Sequence, residues 1–174
     1  MKNNVYMNVY DLICIESMPN ELKSRLNFSG VLTSQEVILS EKIPNTNKKY
    51  VFLSNNENDI KKALRDEFCI GISFKDNFVI KKTLEQISDH EKLVFVSAST
   101  LTLAKKNELP KILHKVRSVL KYSHIFNADI AVVTFANEPW KLLSAAQLYR
   151  VAQFIYDDER IAKKTVSSLE RFFE

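Results

Sequence analysis

The chain has 174 residues, a hydrophobic fraction of 45%, a charged fraction of 26% and a net charge of +4. That length suits one domain with a sizeable core, 1–174, and the balance is ordinary for a soluble globular protein. No apolar run approaches the ~20 residues of a membrane helix, and the polar start MKNNVYMNVYDL has no signal-peptide pattern.

Short β-rich runs alternate with helix-period runs. In chain order the pattern predicts a strand over Val9–Ile15, a helix over Asn20–Leu26, and strands over Glu36–Leu39 and Tyr50–Leu53. Pro44-Asn45-Thr46-Asn47, between those two strands, reads as a loop rather than a crossover helix. A helix over Asn58–Glu67, a strand over Cys69–Phe74, a helix over Phe78–Ile87 and a strand over Leu93–Ser97 follow. The last third predicts a long helix over Leu109–Ile125, a strand over Ile130–Thr134, and helices over Ser144–Tyr156 and Asp158–Phe173. Side-chain oxygens at Asn55–Asn58 and Asp157–Asp158 suit helix starts.

Several strand runs are almost continuously apolar, which fits parallel strands covered on both faces. Strand then helix, repeated, means βα units and an α/β fold. Only Gly30 and Gly71 are available for strained turns, and neither a dinucleotide fingerprint nor a phosphate-binding loop occurs. Without a nucleotide fingerprint at the first crossover, a TIM-barrel-like (β/α) fold is expected over an open doubly wound sheet. Six predicted strands make that barrel an abbreviated one. Cys14 and Cys69 lie in apolar runs, as buried thiols do in a reducing compartment, so a cytoplasmic location is expected.

The charge is unevenly placed. Residues 1–90 hold twelve basic and twelve acidic side chains, and residues 91–174 hold thirteen and nine. Within Lys105–Lys121 there are six basic residues against one acidic, Glu108. At about 100° per residue, Ile112, Leu113, Val116, Val119 and Leu120 share one arc of the Leu109–Ile125 helix, and Lys111, His114, Lys115, Arg117 and Lys121 occupy the other. With Lys105 and Lys106 just upstream, this is an electrostatic footprint for phosphates or else a solvated helix face.

Catalytic signals are sparse. His90, His114 and His124 show no zinc-site spacing and none ends a predicted strand. Asp11, Glu16 and Asp76 flank strands, where exposed loop carboxylates are the common case and an acid/base or Mg²⁺ pair the alternative. Ser97, Ser99, Thr100 and Thr102 follow the fifth predicted strand, but no His is placed to activate them. Trp140, the only tryptophan, is read as a loop aromatic closing one end of the core, with a base-stacking platform as the alternative.

The segment Ile130–Phe154, IAVVTFANEPWKLLSAAQLYRVAQF, with the tail DDERIAKKTVSSLERFF, resembles the C-terminal signature of ribonuclease P protein component 3. That family is the archaeal relative of the eukaryotic thirty-kilodalton ribonuclease P subunit. An apolar strand (Ile130–Val133), a small turn (Thr134–Asn137), an aromatic (Trp140), an apolar helix (Ser144–Tyr156) and a Val-Ser element (Val166-Ser167) follow in the family's order. The likeness covers roughly the last half of the chain; before Phe68 it rests on element order and length. Where the family carries basic residues and a Pro-Arg-Asp run, this chain reads Leu143-Ser144-Ala145-Ala146-Gln147, without charge.

The resemblance implies a TIM-barrel-like subunit of an endoribonuclease that removes the 5′ leader of precursor tRNA. In that enzyme the catalytic centre is RNA with bound Mg²⁺, so this chain is expected to hold no cofactor and no catalytic residue. Its expected partners are the catalytic half of ribonuclease P RNA and ribonuclease P protein component 2, with precursor tRNA met indirectly and no membrane. Lys105, Lys106, Lys111, Lys115, Arg117 and Lys121 are the expected RNA-phosphate contacts, with Lys141 alone left in the neutral loop. The alternatives are a barrel scaffold that binds only protein, and a metal-dependent phosphohydrolase or lyase using Asp11, Asp76 and the Ser97–Thr102 loop.

Overall fold

A computed structural model describes residues 8–77 and 79–173. Among the described residues seven strands are present: β1 (Tyr10–Leu12), β2 (Gly30–Leu32), β3 (Val37–Ser40), β4 (Lys49–Leu53), β5 (Cys69–Ser73), β6 (Leu93–Ser97) and β7 (Ile130–Val133). The helices are α1 (Asn20–Leu26), α2 (Glu57–Leu64), α3 (Lys81–Asp89), α4 (Ala98–Thr102), α5 (Leu109–Ile125), α6 (Ala145–Tyr156) and α7 (Glu159–Ser167). Strands β3 to β7 form one parallel sheet in chain order, and β1 pairs in parallel with β2. The fold is therefore α/β with an all-parallel five-stranded sheet.

β1 also runs beside β7. Phe135 N–H donates to Leu12 O at 3.0 Å and Cys14 N–H donates to Ala136 O at 2.8 Å. Among the described residues no ladder joins β2 to β3; the chain passes between them through a tight turn in which the Val37 and Glu36 amides both bond Thr33 O.

The strands are apolar throughout because both faces are covered. On β6, Val94 and Val96 face the helices while Leu93 and Phe95 face the other way; on β7, Ile130 and Val132 alternate with Ala131 and Val133. The helix side buries Ile60, Leu84, Val116, Leu148, Ala152 and Val166 against the sheet. The second core takes residues from all seven strands, Leu12, Leu32, Val37, Val51, Ile70, Phe95 and Val133 among them. Its floor is the C-terminal segment. Leu169 is buried there, Phe172 packs against it, the Phe173 ring lies 5.0 Å from that of Tyr10, and Arg171 donates to Glu91 O.

Helix starts follow the side-chain chemistry. Asn56 accepts the amides of Asn58 and Asp59, and Asp158 accepts those of Arg160 and Ile161. Ser144 and Gln147 form a reciprocal capping box at the head of α6. Helix ends use positive-φ residues that are not glycine: Asn27, Glu91, Asn127 and Asp157. At α3 and α5 the residue after the left-handed one bonds back to the helix (Lys92 N–H to Ile87 O, Ala128 N–H to Ser123 O), the hydrogen-bonded C-terminal stop of a Schellman motif.

Several boundaries differ from the sequence reading. The first strand is three residues long, β2 and α4 were not expected, and α3 starts at Lys81, with Phe78 outside the described residues. The expected last helix, Asp158–Phe173, breaks after Ser167 so that a short 3-10 turn, Glu170–Phe172, turns under the sheet. Neither glycine serves a strained turn. Both lie in strands, where the missing Cβ leaves room for a ring: Phe173 over Gly30 and Phe95 over Gly71. β5 also carries a register shift, so that Ile70 is the extra residue between the Tyr50–Cys69 and Val51–Gly71 pairs.

A Cβ at Gly71 would lie 2.2 Å from Leu93 O and 2.6 Å from the Phe95 ring. Because the first is backbone in the adjoining strand, Gly71→Ala is expected to cost about 2 kcal/mol or more, read as a lower urea midpoint. The atoms nearest a Cβ at Gly30 belong to side-chain rings, the half-exposed Phe173 first and Tyr10 next, so Gly30→Ala is expected to cost less in the same assay.

Candidate functional site

α5 carries the basic surface. Pro110 suits its first turn, where a backbone donor is not needed. Val116, Val119, Leu120 and Ser123 form its buried stripe, flanked by partly buried Ile112 and Leu113. Lys111, His114, Arg117 and Lys121 are exposed and Lys115 is half-buried; Lys105 and Lys106 are exposed just upstream. Among the described residues, none of Lys105, Lys106, Lys111, Lys115 and Lys121 forms an ion pair. Lysines elsewhere do: Lys61 with Glu57, Lys75 with Glu41, Lys163 with Glu159 and Lys164 with Asp129. The α5 side therefore keeps its positive charge uncompensated.

Two of the expected contact residues have work within the fold. Arg117 donates from Nε to Ile155 O at 3.3 Å and from Nη2 to Phe154 O at 3.2 Å. It thereby satisfies free carbonyls at the end of α6, as a cation suits a helix C-terminus. Lys141 donates to Asn137 Oδ1 at 2.9 Å, pairs with Glu138 at 3.0 Å, and lies 4.9 Å from the Trp140 ring centre. Trp140 does not close the core: it is 70% exposed. Pro139 starts the tight turn that carries the ring.

The C-terminal ends of the strands hold a different arrangement. Asp11 is not a loop carboxylate; it lies inside β1 and is fully buried. Its Oδ1 accepts the Leu12 amide at 2.8 Å and the Thr134 amide at 2.7 Å, and its Oδ2 accepts the Thr134 hydroxyl at 2.6 Å. Thr134 O in turn accepts the hydroxyls of Ser97 and Ser99. One carboxyl thus ties β1, β7 and the β6–α4 corner together. The sequence signal was there: Asp11 lies between Tyr10 and Leu12 in an apolar run, where a solvated carboxylate does not fit.

Burial pushes the Asp11 carboxyl from 3.8 up to about 7, against the opposing effect of its three hydrogen bonds. Burial, with the Asp11 charge second, also raises the Cys14 thiol, and burial raises Cys69 to about 11. Ser97 and Ser99 are directed at a carbonyl, so neither is poised by a base. Asp76 makes no hydrogen bond to this network among the described residues. It is exposed at φ 52°, on the wall of a cavity of about 380 Å³ shared with Ser97, Thr100, Phe135 and the Glu41–Lys75 pair. Phe135, which follows Thr134, is held at φ 48°, an unfavourable conformation for a bulky side chain. Among the described residues no three His, Cys, Asp or Glu side chains gather as a metal site, and no helix is long and apolar enough to cross a membrane. His90 bonds Gln86 O at the end of α3, while His114 and His124 are exposed on α5.

The Asp11 geometry sets a pH dependence. Between pH 3.8 and about 7 the folded chain holds a proton that the unfolded chain has released. This group's contribution to stability is therefore full below about pH 4 and declines as pH rises to about 7. Asp11→Asn keeps an acceptor for the two amides and removes the ionisation. Its urea midpoint, compared with wild type, is expected to gain steadily between those pH values. Asp11→Ala orphans three buried donors and is expected to cost about 2 kcal/mol or more below about pH 4, with the cost falling as pH rises to about 7.

No known protein-family model matches this chain, and no curated protein matches it significantly.

Proposed function

We propose that this chain is a protein subunit of ribonuclease P that carries no catalytic residue and supports RNA-catalysed removal of the 5′ leader from precursor tRNA. The observation that carries this reading is the uncompensated lysine surface of α5 and the loop before it. Lysines held free of carboxylates release counterions when they meet phosphates, which gives affinity for structured RNA without base readout. Lys105, Lys106, Lys111, Lys115 and Lys121 are the contacts proposed, with Arg117 contributing charge from a fixed position. The resemblance over Ile130–Phe154 supplies the identity of the RNA: the catalytic half of ribonuclease P RNA, with protein component 2 as protein partner. Mg²⁺ belongs, in this reading, to the RNA.

A shortened barrel is the proposed shape of the subunit. Seven parallel-type strands follow chain order, the first is bonded to the last, and a second core draws on all of them. Such an interior is the packed core expected inside a barrel. Fold does not decide function, however, and one feature favours the second reading, a module that binds only protein. An apolar groove of about 630 Å³ lies between α5, α6 and α7, floored by Leu120, Ile130 and Ile155 and bordered by exposed Ile161.

Reconstitution separates the two. Precursor-tRNA cleavage by the RNA component is expected to rise when this chain and its partner subunit are added together, and labelled ribonuclease P RNA is expected to shift on a gel with the chain present. Assembly with protein but no RNA shift would favour the second reading. In the same RNA-binding assay, Lys111→Glu with Lys115→Glu and Lys121→Glu is expected to lower affinity and reduce the slope of log K against log salt by about 2 to 3. An unchanged slope would remove α5 from the interface.

A further inference from the structure

We propose that Trp140 is a stacking site for an unpaired base of single-stranded RNA, with Lys105 and Lys106 on the neighbouring loop taking the flanking phosphates. This role rests on the RNA-binding reading above but names a different contact from the α5 face.

The turn that carries Trp140 is braced from both sides. Pro139 fixes its start, the Lys141 amide bonds Glu138 O, and the Leu142 amide bonds Pro139 O. The Lys141 ammonium is held by Asn137 and Glu138. Leu142 and Leu143 then pack against the helix-side core, and the Ser144 capping box begins α6. A large aromatic is thus presented at 70% exposure on a fixed support. Leaving such a ring in water forgoes hydrophobic stabilisation, and a rigid aromatic needs little ordering when a flat partner arrives.

The surroundings favour a base over a protein side. In sequence the ring is flanked by Pro139 and by polar Asn137, Glu138 and Lys141, and the Lys141 ammonium lies 4.9 Å from its centre, a polar and cationic setting that suits a base on a phosphate chain. Glu138 balances Lys141, which leaves stacking as the attraction at this point. Positive charge comes from the next loop. β6 and β7 are adjacent and parallel, so the segments leaving their C-terminal ends emerge side by side. One leads to Trp140; the other runs through α4, which packs on α6, to exposed Lys105 and Lys106. An aromatic exposed at 70%, with Lys141 4.9 Å from its ring centre, on a segment that adjoins one carrying unpaired lysines, brings together the two elements by which single strands are held without sequence preference.

The sole tryptophan makes the test direct, because all indole fluorescence comes from Trp140. The full chain is titrated with an oligouridine of about 15 nucleotides, the scale of a single-strand site, and separately with a blunt RNA duplex of similar length. Saturable quenching by the single strand and little by the duplex is expected. By anisotropy of labelled oligouridine, Trp140→Ala is expected to weaken binding about 5- to 100-fold, with Trp140→Phe close to wild type. Lys105→Glu with Lys106→Glu is expected to lower the salt slope, which Trp140→Ala leaves unchanged. Thermal melts establish that the variants fold. Single-strand binding without quenching, equal affinity of Trp140→Ala, or no single-strand binding at all would each overturn the assignment. Quenching by a partner protein, with oligouridine inert, would overturn it too and make the turn a protein contact. Stimulation of precursor-tRNA cleavage by Trp140→Ala at the wild-type level would leave the ribonuclease P reading standing while the stacking site fell.

Discussion

The arrangement of the strands depends on one buried carboxyl. Asp11 accepts three hydrogen bonds from Leu12 and Thr134 at the point where β1 meets β7. Without it the Thr134 amide and hydroxyl would have no acceptor in an apolar setting, and a buried donor left unpaired costs more than a made bond returns. Its oxygens also fix the Thr134 carbonyl for Ser97 and Ser99, so the corner after β6 is set by the same group. The hydroxyl-rich Ser97–Thr102 run, which the phosphohydrolase or lyase alternative enlists for chemistry, is in part architectural. Polar residues at strand ends need not be chemistry; here they replace the ladder hydrogen bonds that run out where the strands stop.

From that frame the basic face follows. The helix side of the sheet takes one stripe of α5, and the opposite stripe is left to solvent with its lysines free of acids. Arg117 shows why helix position alone does not assign a contact. It lies on the flank of α5 towards α6, and its fork is used on the carbonyls of Phe154 and Ile155. The lysines, longer-stemmed point charges without such partners, retain their freedom to meet a polyanion.

Much of this was legible in the chain. Long periodic segments such as α5 and α6, and fully buried runs such as β6 and β7, follow from hydrophobic spacing and branched side chains. The Asn56, Ser144 and Asp158 caps follow from side-chain chemistry. β2 was hidden because Gly30-Val31-Leu32 is too short to show a period, and it forms only because β1 pairs with it. α4 was hidden because Ser and Thr favour turns and loops over helix interiors. The break after Ser167 depends on where the second core needs Leu169 and Phe172, which no local preference encodes. Of the site residues, exposure of Lys111 and Lys121 was readable from the helix period, whereas the fixing of Lys141 and the exposure of Trp140 belong to the tertiary turn.

Four helices end on Asn27, Glu91, Asn127 and Asp157 in the left-handed conformation, positions where glycine is usual. Each side chain there strains the folded chain by an energy that changes little with temperature. Each also removes backbone freedom from the unfolded chain, and the free-energy value of that restriction grows in proportion to absolute temperature. The balance between strain and stiffness at these stops therefore shifts towards the folded state on warming. With only two glycines, both placed under aromatic rings rather than in turns, the chain makes its helix stops with residues whose side chains restrict the unfolded backbone more than glycine would.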